Sequence, residues 1–179
     1  MKRFLCLLLA AITVSLTACG EAAPQHPEDA VRGNQIGDLC PATTLTEIGA
    51  DGYTNHVFDP TERGEIVVLN FWAYWCPPCV GELPHFEQVA AQYTDEVDVI
   101  AIHCDDVTKA QEFIAKNYAE SSIIFAMDQN RDPFAYYSAC GGGGSIPYTV
   151  VLDKNGVIRK KFVGAITYDK LVTAIEECR

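Results

Sequence analysis

Apolar positions along this chain fall into blocks whose period switches between two and nearly four. Ile66–Ala73 is a nearly continuous apolar run of Val, Leu and aromatic residues. Such a run predicts a central strand buried on both faces. Pro77–Tyr93 follows, with Val80, Leu83, Phe86, Val89 and Ala90 at helical spacing. Val97–His103 reads as a strand, Thr108–Tyr118 as a helix capped by Thr108, Ile123–Met127 as a short strand and Asp132–Ser138 as a helix. Two hairpins are signalled. Leu45–Ile48 and Tyr53–Phe58 flank Ala50-Asp51-Gly52, and Tyr148–Leu152 and Val157–Val163 flank Asp153-Lys154-Asn155-Gly156. Thr167–Cys178 closes the chain as a helix. Alternating strands and helices, then a hairpin and a helix, predict an α/β layered domain. Its first units need parallel pairing and right-handed crossovers. Chemistry in such sheets gathers at the carboxyl ends of the strands. Here Ile66–Ala73 leads directly into Trp75-Cys76-Pro77-Pro78-Cys79.

The amino terminus is patterned differently. Met1-Lys2-Arg3 is positive, and Phe4–Leu16 is apolar and uncharged. Small residues then lead to Cys19. This is the layout of a secretory signal. The run is shorter than the roughly 20 residues a membrane-spanning helix needs. Leu16-Thr17-Ala18-Cys19 resembles the lipobox of bacterial lipoproteins, and so implies cleavage before Cys19 and lipidation of that residue; an ordinary signal peptide is the alternative. Residues 1–18 are then a signal peptide, 19–36 a lipidated polar tether, and 37–179 the domain. Loss of Lys2 and Arg3 moves the formal charge from −11 to −13. An acidic surface argues against nucleic acid, and against electrostatic binding to anionic lipid.

Cys76 and Cys79 carry the chemistry. At a helix start, unpaired N–H groups and the helix dipole favour a thiolate on Cys76. A thiolate is the attacking species in disulfide exchange. Cys79 lies one turn on, within disulfide reach. Pro77 and Pro78 suit the first helical turn, where no backbone donor is needed. A zinc half-site is the competing reading, but no second closely spaced pair of ligands accompanies it. Neither a metal nor a cofactor is expected.

Val67-Val68-Leu69-Asn70-Phe71-Trp72-Ala73-Tyr74-Trp75-Cys76-Pro77-Pro78-Cys79 looks like the active-site segment of thioredoxin-like proteins. With Val80-Gly81-Glu82-Leu83-Pro84, Gly37-Asp38-Leu39-Cys40-Pro41 and Ser145-Ile146-Pro147-Tyr148-Thr149, it resembles the TlpA/ResA-type branch of membrane-tethered disulfide reductases. The resemblance covers about residues 36–179. It implies a thioredoxin-like fold with an amino-terminal hairpin extension and an inserted strand–helix unit over 108–139. It also implies Cys76 as nucleophile, Cys79 as resolving thiol, a cis Pro147 beside the disulfide, and a substrate rim of Trp75, Pro77, Pro78 and Ile146. Glu82 either tunes the exchange and relays protons, or is a solvent-facing helix residue. Asn70 stands where cytoplasmic thioredoxins carry a buried acid, which moves any acid–base role toward Glu82. The implied partners are protein disulfides, a membrane-bound electron donor and, through the lipid, the membrane. The implied location is the extracytoplasmic side.

Four further cysteines allow three pairings. Cys104 ends a strand parallel to the active-site strand, and Cys140 approaches the Pro147 loop at the same end. This places Cys104 with Cys140, and leaves Cys40 with Cys178. Gly141–Gly144 reads as a spacer, with an adaptable substrate rim as the alternative. A thioredoxin-like copper chaperone would enlist His85 or His103, but spaces its cysteines more widely. A thiol peroxidase would want a lone peroxidatic Cys. A non-enzymatic lipoprotein would show no redox change at all.

Replacing the lipobox cysteine, Cys19→Ala, is expected to release the protein from membranes or leave it unprocessed. Membrane fractionation with lipid labelling checks this, and unchanged labelling refutes it.

Overall fold

A computed structural model describes residues 26–27, 30–49, 51–128 and 134–179. The signal, Cys19, much of the tether, Ala50 and the start of the helix expected from Asp132 lie outside the described residues. No described helix is long and apolar enough to cross a membrane.

The elements run β1 (Leu45–Gly49), β2 (Gly52–Phe58), β3 (Ile66–Trp72), α1 (Pro77–Gln92), β4 (Val97–His103), α2 (Val107–Asn117), β5 (Ile124–Asp128), α3 (Ala135–Ala139), β6 (Tyr148–Leu152), β7 (Ile158–Val163) and α4 (Tyr168–Glu176). The described strands form one sheet in the order β2-β1-β5-β4-β3-β6-β7. β3 pairs parallel with β4, and β4 with β5. The hairpins β1–β2 and β6–β7 are antiparallel, and each joins the sheet by a further antiparallel pairing. This is the expected mixed α/β architecture of a thioredoxin-like domain, with the amino-terminal hairpin and the unit from α2 to α3 added.

Every residue of β3 is buried, because the strand is central and covered on both faces. Its alternate side chains therefore divide the core. Ile66, Val68 and Trp72 face α1, α2 and α4, meeting Leu83, Phe86, Val89, Ile114, Leu171 and Ile175. Val67, Leu69 and Phe71 face α3 and the amino-terminal segment, meeting Tyr136, Tyr137, Cys140 and Cys40. Phe71 is ringed by Tyr136, Tyr137 and Tyr148 at centroid distances of 5.9, 5.5 and 5.9 Å. Each large apolar side chain buried this way contributes about 1.5–3 kcal/mol.

Val31 and Asn34, within the segment expected as the tether, lie against the fold. Leu39 N–H donates to Val31, Cys40 N–H donates to the Gly156 carbonyl, and Lys161 Nζ donates to Asn34. Leu39 thereby bridges both Arg32 and Val157.

Two local expectations are corrected. The cap of α2 is Asp106, whose Oδ1 accepts from Thr108 N–H at 2.9 Å. Thr108 supplies the orphan donor, so the cap falls two residues earlier than its side chain suggests. The glycine run is not a loose spacer. A Cβ on Gly142 would lie 2.3 Å from the Tyr137 ring, and Gly144 has φ +94°. The Tyr137 hydroxyl accepts from Gly144 and Ser145 N–H and donates to the Ser145 carbonyl, each at 2.8–2.9 Å. The glycines let the backbone fold over this ring.

Asp106→Ala is expected to cost about 1 kcal/mol through the lost cap, while Thr108→Ala costs much less. Urea denaturation at unchanged slope reads the difference.

Candidate functional site

β3 ends at Trp72, and the chain turns through Ala73, Tyr74 and Trp75 to the start of α1. Cys76 is the amino-terminal cap residue of that helix, with extended backbone at φ −95°. Pro77 and Pro78 fill the first turn, where their missing N–H groups cost nothing. Val80 N–H closes the first helical bond on the Cys76 carbonyl at 3.0 Å. Cys76 and Cys79 are joined as a disulfide, with Cα atoms 5.2 Å apart. Both sulfur residues are buried, Cys79 completely.

Three segments surround the disulfide. The Ile146–Pro147 peptide is cis, and the Ile146 carbonyl oxygen lies 3.8 Å from Cys76 Sγ. Trp75 is 52 % exposed beside the pair. Its indole N–H donates to Asp105 Oδ2, and that bond holds the Asp105 carboxyl below the ordinary carboxylate range. Behind Trp75, buried His103 stacks on Tyr74 and takes its backbone N–H on Nε2 at 3.4 Å. Burial pushes the His103 ring below its usual pKa. Trp72 is enclosed by His103, Phe113 and Phe125, and is a core residue.

Glu82 sits one turn beyond Cys79, on the same buried face of α1. It is only 2 % exposed, which removes the reading of a solvent-facing helix residue. Oε1 accepts from Asn70 Nδ2 at 2.7 Å, and Oε2 accepts from Ile166 N–H at 2.8 Å. Asn70 Nδ2 also reaches Thr149 Oγ1 at 3.3 Å, so β3, β6 and α1 meet at this one amide. Burial raises the Glu82 pKa to about 7, against the smaller lowering effect of its two hydrogen bonds. A cleft of about 290 Å³, lined by Pro78, Gly81, Glu82, His85 and Ala165–Thr167, lies over the carboxyl. Glu82 itself forms part of the lining of this cleft.

The structure brings together Cys76, Cys79, Glu82, Trp75, Pro77, Pro78, Ile146 and Pro147. It does not form the expected pairs Cys104–Cys140 and Cys40–Cys178. Cys40, Cys104, Cys140 and Cys178 are free thiols. Cys140 meets Cys40 instead, with the sulfurs 3.8 Å apart. Cys104 does share their core face, but its sulfur turns to the Ile102 carbonyl. Cys178 packs against the opposite face of the sheet, its sulfur on the Ala174 carbonyl of α4. Sequence reasoning also missed Asp105, Thr149 and the Ile166 N–H. A backbone donor leaves no side-chain signal, and the other two are fixed by pairings between distant strands.

A redox disulfide at a helix start beside a cis-proline loop, on a thioredoxin-like sheet, defines a thiol–disulfide exchange protein. Residues 36–161 match the AhpC/TSA family, and the chain belongs to that family. It is similar to thiol-disulfide oxidoreductase ResA of Oceanobacillus iheyensis, 28 % identical over 138 residues that cover 76 % of this chain and 69 % of the relative. ResA of Bacillus cereus is 29 % identical, with 76 % and 75 % covered. Among solved structures, a thiol:disulfide interchange protein DsbE from Chlorobium tepidum superimposes with a TM-score of 0.63 at 28 % identity, over 80 % of this chain and 97 % of that one. This chain is a thiol–disulfide oxidoreductase, with Cys76–Cys79 as its exchanging pair.

Glu82 has a consequence for stability. A carboxyl raised from 4.5 to about 7 on folding keeps its proton in the folded state where the unfolded chain has lost it. Its favourable contribution is complete below pH 4.5 and is lost as pH rises toward 7. The stability of the parent relative to Glu82→Gln is therefore expected to fall by about 3 kcal/mol across that window. Paired urea titrations at several pH values check the slope, and a flat difference refutes it.

Proposed function

We propose that the protein is a reductase of protein disulfides, held at the extracytoplasmic face of a bacterial membrane by lipid on Cys19. A membrane-bound donor would re-reduce it. Residues 1–18 would be removed as the signal, with 19–36 as the tether to the domain at 37–179. The observation that carries the reductase reading is the buried Glu82 carboxyl, one turn from Cys79 and poised near neutrality. A base at that place serves the resolving step.

In the reduced protein the Cys76 thiolate attacks one sulfur of a substrate disulfide, giving a mixed disulfide and a substrate thiolate. The Cys79 thiol passes its proton to the Glu82 carboxylate and attacks Cys76 Sγ. The Cys76–Cys79 bond closes, and the second substrate sulfur leaves as a thiolate that takes up a proton. Two electrons pass to the substrate, and Glu82 returns its proton through the cleft beside His85. Trp75, Pro77, Pro78 and Ile146 form the rim on which the substrate chain lies. The Ile146 carbonyl, 3.8 Å from Cys76 Sγ, stands beside the chain under attack. Pro147 holds that edge in place and offers no N–H of its own.

The measured reduction potential of the Cys76–Cys79 couple tests the direction. A value near about −270 mV agrees with a reductant, and one near about −120 mV, that of a strong oxidant, overturns the reading.

Cys79→Ser is expected to accumulate mixed disulfides with substrate proteins, because Cys76 attacks and nothing resolves the adduct. Cys76→Ser is expected to trap few or none. Non-reducing gels of the two variants decide the roles, and the reverse pattern exchanges them.

A further inference from the structure

Cys40 and Cys140 are far apart in sequence, 100 residues, and both are completely buried on the face of the sheet that the exchange site does not use. Their sulfurs are 3.8 Å apart, in contact, with the Tyr136 hydroxyl 3.4 Å from Cys40 Sγ. A disulfide needs an approach of about 2 Å more. The other two described free thiols point at backbone carbonyls, away from this pair.

Each partner is anchored in a different part of the fold. Cys40 is held by its N–H on the Gly156 carbonyl, and its own carbonyl accepts from Arg32 at 2.8 Å. Cys140 is the carboxyl-terminal cap of α3, and its carbonyl accepts from the Tyr148 hydroxyl at 3.0 Å. From Cys140 the chain folds over Tyr137, whose hydroxyl binds Gly144 and Ser145, and the next residue is Ile146. A short run of contacts therefore joins Cys140 to the carbonyl beside Cys76.

We propose that Cys40 and Cys140 form a second, non-exchanging disulfide that clamps the loop carrying Ile146 to the amino-terminal segment of the domain. Either thiol can attack first, Cys40 in the exchange that follows. The oxidant is a low-molecular-weight or protein disulfide. Cys40 thiolate attacks one of its sulfurs and expels a thiolate. That thiolate takes the Cys140 proton, and Cys140 attacks Cys40 Sγ and expels the second. Two thiols are oxidised, and one disulfide is reduced to two thiols. Both sulfurs are out of solvent in the folded domain, so the exchange belongs to the folding chain. Burial then shields the bond from the reductants that serve Cys76–Cys79.

The pairing is tested without any assay of exchange, so its failure is distinct from failure of the reductase reading. The full chain is reduced, denatured, refolded in oxidised and reduced glutathione, alkylated with N-ethylmaleimide under denaturing conditions and mapped without reduction. A Cys40–Cys140 peptide is expected, with Cys104 and Cys178 alkylated. Alkylated Cys40 and Cys140, or either one joined to Cys104 or Cys178, overturns the proposal. Limiting dithiothreitol on the folded protein is expected to open Cys76–Cys79 and spare Cys40–Cys140, and simultaneous opening refutes the non-exchanging character. The double variant Cys40→Ala/Cys140→Ala is expected to melt on the order of 10 °C below the oxidised parent. The clamp itself rests on the reading of the Ile146 loop as the substrate rim. It is read as a several-fold rise in KM for reduced-insulin formation in that variant, and an unchanged KM removes it.

Discussion

The amide of Asn70 holding the carboxyl of Glu82 is the contact on which the site depends. Neither group belongs in a core by itself, since a buried polar group without a partner costs free energy. The Asn70 Nδ2 donates to Glu82 at 2.7 Å and reaches Thr149, the Ile166 N–H serves the other carboxyl oxygen, and in this set Asn70 Oδ1 alone stays buried without a partner. The arrangement joins the central strand, its antiparallel neighbour, the active-site helix and the segment before α4. It leaves an ionisable group one turn from Cys79 without leaving it in water. An acid at position 70 would put a second carboxyl against the first, and like charges so close cannot both ionise. The neutral amide lets Glu82 alone carry the proton.

The double-sided burial of β3 gives this knot its setting. The strand delivers Asn70 and Trp72 to the helical face that carries the exchange site, and Phe71 to the aromatic face built by Tyr136, Tyr137 and Tyr148. The two faces then treat sulfur differently. On one, Cys76 caps a helix and meets the edge of the domain. On the other, Cys40 and Cys140 lie beneath the sheet among aromatic rings, and thiols so placed are shielded from exchange. The Tyr137 hydroxyl connects the faces through the loop it pins, which ends at the carbonyl beside Cys76.

Much of this was legible along the chain. The continuous apolar run predicts β3 to within a residue, because a strand buried on both sides tolerates few polar side chains. Helical spacing places α1, and Asp-Gly and Asn-Gly turns place both hairpins, because these signals are local and carry their own backbone chemistry. The same holds for Cys76-Pro77-Pro78-Cys79, whose disulfide geometry is set within one helical turn. Asp106 was overlooked because two nearby residues, Asp106 and Thr108, can both serve as caps, and only the backbone path chooses between them. Gly141–Gly144 looks like a spacer because a glycine run says nothing about what presses against it. The Tyr137 ring, close in sequence but turned by α3, is what requires it.

What the sequence by itself determined is the order of elements, the exchanging cysteine pair and the polar identity of Asn70 and Glu82. These depend on periodicity and on residues within a turn or two of one another. Only the tertiary structure decided that Glu82 is buried, that Asn70 and Ile166 satisfy it, and that Cys40 faces Cys140 and not Cys178. Each of these is a contact between segments 12 to 100 residues apart. Whether such segments meet depends on which face of the sheet each side chain takes and where each crossover ends. A one-residue change of register turns a strand side chain to the other face, so no spacing along the chain could assign those partners.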